Sequence, residues 1–324
     1  MTEIIEMKWI CGFWRRIGAF LLDSVVLGIV GLGMGFFLEK FFVEIGAWGI
    51  LIGFSIALIY FGIMNSGLAN GQTLGKKALE IRVVDGKNKP ISFIKSIGRY
   101  SVIGIPYFLN GAQFPVEATS TVWHEIFSFV CFCVYLSVVY LYVFNRNTRQ
   151  SLHDLIFGTY VVNAQAEKAS VGSISRPHLV AVSLFFTVTV IVSVLALHLA
   201  QQGALSDINK SQQFSMINPS VKYAAVSFGE NIVSTFRTGT TETSFASAEV
   251  LLKDNHIENT VLAHEVAEYI ANAYPQALEK DVILINLVYG YDIGIASKWY
   301  RHSHTINPNE LVSDKKVKSK ENVN

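Results

Sequence analysis

Apolar residues gather in four long runs before residue 200 and then give way to short alternating stretches. Ile17–Leu38 is interrupted only by Asp23, and Ile45–Met64 contains no charge. Ile126–Phe144 is rich in Phe, Val and Tyr, and Leu179–Leu197 in Val, Leu and Ile. Each run approaches or meets the roughly 20 apolar residues that a membrane-crossing helix needs. A fifth run, Tyr100–Phe114, is shorter and contains Pro106, Asn110 and Gln113. As a helix it reaches only about 22 Å, so a short tilted span, a re-entrant segment and an interfacial helix all fit it. The first run is too long for a secretory leader, no small-residue cleavage site follows it, and a second span comes at once. It is expected to stay in the mature protein.

Between the spans, residues 65–95 read as an ordered loop. Asn70-Gly71 signals a turn, Leu79–Val84 a short strand, Asp85–Asn88 a second turn, and Pro90 a stop. Beyond residue 200 the periodicity changes. Tyr223–Phe228, Ile232–Arg237 and Glu242–Ser247 have strand-like composition, with a turn at 238–241. Leu262, Val266, Ile270 and Tyr274 recur every four positions and predict an amphipathic helix over Thr260–Tyr274. Val282–Tyr289 and Ile293–Tyr300 predict a further β pair around Gly290–Asp292, and the charged composition beyond Asn307 predicts disorder. The expected architecture is therefore an α-helical multi-pass membrane protein of about five spans with a small C-terminal α+β soluble domain. The expected divisions are a membrane domain over 1–177, a last transmembrane helix over 178–200, the α+β domain over 201–306 and a tail over 307–324.

Composition agrees with a membrane protein carrying a soluble part. Of the 324 residues, 51% are hydrophobic and 16% charged, against roughly 25% charged in soluble domains. The mean hydropathy of +0.38 excludes a disordered chain. The net charge of +1 hides an asymmetry: residues 1–200 carry 15 Lys and Arg against 11 Asp and Glu, whereas residues 201–324 carry 11 against 14. Neither part is basic enough to make nucleic acid an expected partner. Cys11, Cys131 and Cys133 all fall in the apolar part without a C-x-x-C pair, and read as core-filling or lipid-facing.

Loop charge predicts the topology. Lys8, Arg15 and Arg16 precede the first span, seven Lys and Arg lie between Lys76 and Arg99, and Arg146, Arg149, Lys168 and Arg176 follow the third long run. The loop between the first two spans has only Lys40. If Tyr100–Phe114 crosses, all three basic segments share the cytoplasmic side. The C-terminal domain then lies outside.

The most informative single residue is Asp23, a carboxylate inside the first span. Insertion of an acid at a helix centre costs roughly 2.5–3.5 kcal/mol, so such a residue has a partner or a task. Arg16 lies two turns earlier, about 10.5 Å away along the axis, and both side chains lean toward the N-terminus. Each is therefore expected to meet a group from another segment. A structural hydrogen-bond network and a cation or proton site are both open for Asp23. Gly31 and Gly35 form a G-x-x-x-G pair that lets helices approach closely. Gly71–Lys77 superficially looks like a phosphate loop, but the glycine spacing is short and Lys77 stands in place of Ser or Thr. His264-Glu265-Val-Ala-Glu268 lacks the second His of a zinc-protease helix, and His302 and His304 read as exposed strand-end residues. Neither a nucleophile–base pair nor a metal constellation is present in the sequence, so no enzyme activity, catalytic residue, metal or cofactor is expected.

Three pieces together carry a resemblance. Gly12-Phe-Trp-Arg-Arg16 running to Asp23 resembles the opening of RDD-family membrane proteins, named for one Arg and two Asp. Gly71-Gln-Thr73-Leu-Gly75-Lys76-Lys77 leading into Ile81–Gly86 is similar to the second family element. Asn145-Arg-Asn-Thr-Arg149-Gln-Ser-Leu-His153-Asp154, followed by Gly158–Val162, is similar to the third. Ser151 stands where the family more often has Thr. The match in order and spacing covers about residues 9–165 and does not extend over 178–324. It places the family Arg at Arg16, the first Asp at Asp23 and the second at Asp154, with Arg15, Lys76, Arg149 and His153 as supporting residues. The resemblance implies a multi-pass bacterial inner-membrane protein with transport suggested. Asp154 is expected to pair with Arg16 and leave Asp23 for a cation or proton, or all three to form one structural ion network. Ion or small-solute movement, including Na⁺/H⁺ exchange through Asp23, is one functional expectation. A membrane-anchored scaffold or sensory protein whose outer domain binds a protein partner is the other. The bilayer itself and a second copy of the chain complete the expected partners.

Overall fold

The computed structural model describes residues 9–110, 121–170, 172–200, 218–235 and 239–311. The chain divides into a helical unit, residues 1–199 with 292–297, and a sheet-containing unit, residues 200–291 with 298–324. Among the described residues, three helical stretches are long and apolar enough to cross a membrane: Phe13–Met64, Phe127–Phe144 and Arg176–Leu195.

The first stretch holds two helices, α1 (Phe13–Ile45) and α2 (Gly49–Met64). At 1.5 Å per residue, α1 is about 50 Å long, and its helical geometry lapses at Leu38. Arg16, Ala19, Asp23, Leu27, Gly31 and Gly35 recur every three or four residues and form its buried stripe. Of the G-x-x-x-G pair, both glycines are buried, while Phe36 and Phe37 beside them are 82% exposed. Leu27 of α1 packs with Ala57 and Phe61 of α2, so the two helices lie side by side.

Helix α4 (Phe93–Leu109) follows a short helix, α3 (Leu74–Ala78), and a strand, β1 (Ile81–Asp85). It begins seven residues before the Tyr100–Phe114 run, with Ser92 capping Lys95 N. Residues 111–114 of that run lie outside the described residues. Its first half carries Lys95 and Arg99 and belongs to the polar end of the unit rather than to an apolar span, and α4 is not among the three long apolar stretches. Helix α5 (Thr121–Phe144), short helix α6 (Leu152–Ile156), strand β2 (Thr159–Asn163) and helix α7 (Arg176–Ala200) complete the unit. Cys131 and Cys133 of α5 are buried thiols, as is Cys11.

Strands β1 and β2, nearly eighty residues apart in sequence, pair antiparallel from Ile81↔Asn163 to Asp85↔Thr159. Ile10 adds a bridge to Val162, and Cys11, Ala19, Ile81, Val83, Ile91 and Val161 form a small core beneath. The predicted turn is present, with Asn70 at φ 55° and Gly71 at φ 72°. A side chain on Gly71 would strike the backbone of Val83.

The second unit has one sheet in the order β3 (Val221–Thr235), β4 (Gly239–Leu252), β5 (Val282–Asp292), β6 (Ser297–Ile306). β3 and β4 pair antiparallel, and β4 and β5 run parallel from Phe245↔Val282 to Leu251↔Val288. The parallel step requires a crossover, which helix α8 (Thr260–Ala273) supplies. Leu262, Val266, Ile270 and Tyr274 are all buried against Ala246, Ala248, Val250, Ile283, Ile285 and Leu287. The two predicted strands over 223–228 and 232–237 are one continuous strand through Thr235, because Gly229–Asn231 keep the ladder with Phe245–Thr243. Residues 236–238 lie outside the described residues, and Thr240 and Thr241 already belong to β4. β5 likewise runs through the expected turn to Asp292.

The disorder expected after Asn307 does not begin there. Residues 308–311 form a helical turn whose Leu311 is buried in the sheet-domain core; one apolar residue in a charged segment is enough to dock it. Residues 312–324 lie outside the described residues. Leu311→Ala is expected to cost about 2–5 kcal/mol. It should appear as a lower denaturation midpoint of the full-length protein and faster proteolysis within 218–311.

Candidate functional site

Asp154 is the third helical residue after Ser151, where a capping box holds it. It is completely buried. Arg99 of α4 donates from Nε at 3.0 Å and Nη2 at 2.8 Å to Asp154 Oδ1, and Thr159 of β2 donates to the same oxygen at 2.8 Å. Arg16 of α1 reaches Asp154 Oδ2 at 3.4 Å and also donates to the carbonyls of Arg149 and Val161. Its guanidinium lies 5.7 Å from the Tyr142 ring centroid. Burial opposes ionisation of Asp154, but the two guanidiniums outweigh it and hold the carboxyl well below the usual carboxylate range. The expected Arg16–Asp154 pair is present. Arg99 is the closer partner, and neither spacing nor motif in the sequence links α4 to residue 154.

Asp23 is also completely buried. Tyr60 of α2 donates to Asp23 Oδ1 at 2.7 Å, Gly75 N donates to Oδ1 at 2.8 Å, and Thr73 Oγ1 donates to Oδ2. Thr73 is the cap of α3, accepting from Lys76 N at 3.2 Å. The carboxylate thus sits at the first turn of α3, where free amides favour negative charge. Gly75 is needed for the approach: a Cβ there would strike the Ala19 carbonyl and meet Asp23 Cγ at 3.1 Å. What resembled a phosphate loop is a clasp for the chain's own carboxylate. Arg16 and Asp23 do not pair, as their positions along α1 implied.

Lys76 donates from Nζ to Asn65 Oδ1 at 2.8 Å. Burial, with Arg99 nearby, lowers its ammonium to about 8. Burial likewise pushes His153 down to about 3, against the raising effect of Asp154, so the imidazole is uncharged at neutral pH. His153 Nε2 stands 3.7 Å from Asp154 Oδ2. His153 Nδ1 and Arg16 Nε are buried without a hydrogen-bond partner among the described residues. Arg15 donates to Asn163 Oδ1 at 2.9 Å, and Arg149 takes a left-handed φ of 51°.

Asp23, Lys76, Arg99, His153 and Arg16 share one cavity of about 290 Å³. Apart from Asn65 and the tyrosines Tyr100 and Tyr142, its remaining walls are apolar, with Phe20, Ile103, Val138 and Val139 among them. A neighbouring cavity of about 320 Å³ is lined by Arg16, Arg146, Arg149, Asn145, Phe13, Tyr142 and Val143. The Arg and two Asp thus lie at one polar end of the helical unit, with three separated chain segments clasped around them.

Residues 10–158 match the RDD family model. The C-terminal region lies outside that match. "Uncharacterized protein YxaI" of Bacillus subtilis (strain 168) is 27% identical over 125 residues, covering 32% of this chain and 79% of the relative. No solved structure matches. Within the RDD segment, Arg16 and Asp154 share one cluster and Asp23 holds another. Arg99, Tyr60, Thr73 and Asn65 complete them, and of these four only Thr73 belongs to one of the three family-like sequence elements.

In the sheet domain, His264 Nδ1 and Glu268 Oε1 are 3.7 Å apart on one helix face, and the His302 and His304 rings are 4.7 Å apart. His304 Nε2 meets the Ile257 carbonyl at 2.9 Å. Among the described residues no group of three or more His, Cys, Asp or Glu is placed to hold a metal.

Arg99→Gln leaves Asp154 buried and poorly paired, and is expected to destabilise the full-length protein by about 3–5 kcal/mol. Chemical denaturation in detergent measures it, and an unchanged midpoint contradicts the assignment. His153 titrates at 6.5 when unfolded and about 3 when folded. Between those values the unfolded chain binds the extra proton, so stability falls as pH falls, by at most about 1.4 kcal/mol per unit. The depressed Asp154 contributes fully above 3.8 and loses its contribution only below that. The melting temperature should therefore drop from pH 6.5 to 4.5, and His153→Gln should flatten that interval.

Proposed function

We propose that this chain is a multi-pass bacterial inner-membrane protein that moves a small amphiphilic anion through the cavity floored by Arg16, Lys76 and Arg99. The observation that carries this is the charge of the lining: three cationic side chains face one carboxylate, Asp23, and His153 is neutral. The basic segments at 8–16, 76–99 and 146–176 support a cytoplasmic N-terminus and five crossings, with the sheet domain outside. Na⁺/H⁺ exchange at Asp23 is the weaker form of the transport reading, since a cation has to displace three hydrogen-bond donors already on the carboxylate. A second reading, a membrane-anchored scaffold or sensor, is favoured by the separate core of the sheet domain, which gives it the build of a binding module.

Proteoliposomes of the full-length protein test the transport reading with radiolabelled octanesulfonate, which stays anionic at every accessible pH. Uptake above protein-free vesicles is expected, falling about tenfold in Lys76→Gln. Proton movement driven by a Na⁺ gradient, without anion uptake, would establish exchange instead. For orientation, Ser170 and Ser220 are both exposed and flank α7. Ser170→Cys and Ser220→Cys in a cysteine-free background should differ in intact spheroplasts, with an impermeant thiol reagent labelling position 220 alone. Labelling of 170 alone inverts the topology, and equal labelling removes the crossing by α7.

A further inference from the structure

The two cavities share Phe13, Arg16, Tyr142 and Val143. One is arginine-lined and lies at the polar end of α5; the other is a slot between α1, α2, α4 and α5, charged at one end and mostly apolar along its sides. Arg146 and Arg149 form no ion pair with a carboxylate among the described residues, and no acidic side chain lines their cavity. Arg16, only 5% exposed, lines both cavities and keeps Nε without a hydrogen-bond partner among the described residues. On the apolar side, Phe20, Val139 and Val143 are exposed on the outer surfaces of their helices as well as lining the slot. The slot therefore opens sideways, where a membrane helix meets acyl chains.

We infer that the two cavities together hold one anionic phospholipid, its phosphate between Arg16, Arg146 and Arg149 and an acyl chain in the slot beside Phe20, Ile103 and Val139. This rests on the anion-site reading above and narrows it to a solute delivered from the bilayer. The chemistry follows from the walls. Guanidiniums match phosphate oxygens in paired hydrogen bonds, basic pockets at helix ends attract anionic headgroups, and an apolar slot offers a small free anion nothing to bury. A soluble phosphate fits only the arginine end.

The test uses full-length protein in phosphatidylcholine nanodiscs, titrated with a fluorescent short-chain phosphatidylglycerol. Saturable binding is expected. Arg146→Gln with Arg149→Gln should weaken it about tenfold, and Val139→Trp, placed on an exposed helix face, should abolish it by filling the slot. If the double variant does not fold because of the Arg149 backbone, Arg146→Gln alone carries the headgroup arm with a several-fold loss. Inorganic phosphate at millimolar concentration should compete weakly. Equal binding of a fluorescent phosphatidylcholine, indifference to Val139→Trp, or full displacement by phosphate overturns the lipid assignment. Octanesulfonate uptake measured in the same variants separates the two readings. Uptake that persists without phosphatidylglycerol binding sinks the lipid proposal alone, whereas lipid binding without any uptake sinks transport alone.

Discussion

The polar end of the helical unit depends on the burial of Asp154 between two arginines from different helices. A carboxylate removed from water needs compensating charge and hydrogen bonds, and here Arg99, Arg16, Thr159 and the Ser151 amide surround it. Each partner comes from a different segment, so satisfying one carboxylate draws together α1, α4, α6 and β2. The β1–β2 pairing then closes over the same region.

Asp23 solves the same problem without a guanidinium. Its partners are two hydroxyls and one amide, and the amide belongs to the first turn of a five-residue helix. Because the donors come from α2 and the Thr73–Gly75 segment, the carboxylate ties α2 and the connection between α2 and α4 onto α1. The close approach of Gly75 to the Ala19 carbonyl leaves no room for a side chain. The Arg and two Asp of the RDD segment are therefore two latches rather than one triad.

Two latches leave an imbalance. Asp154 offsets Arg16 and Arg99 from behind, and Asp23 is the one carboxylate that lines the slot, while Lys76, Arg146 and Arg149 add positive charge to the two cavities. Neutral His153 contributes none. A cationic floor beneath apolar walls suits an amphiphilic anion better than a bare metal cation. This electrostatic asymmetry links the fold to the function proposed for it.

The long apolar runs by themselves determined where the membrane helices lie, since helix length and hydrophobicity are local properties of the chain. The four-residue repeat from Leu262 to Tyr274 determined the buried face of α8 for the same reason. That Arg16 and Asp23 do not pair followed from helix rise and side-chain direction alone. Tertiary structure decided the rest. Arg99 joins Asp154 because α4 packs near α6, and Tyr60 joins Asp23 because α2 folds back beside α1; no periodicity encodes either meeting. The continuity of β3 through Gly229–Asn231 came from pairing with β4, which overrides the weak strand preference of those residues. Leu311 is ordered because a pocket in the sheet-domain core receives it, a property of the pocket rather than of the charged segment around it.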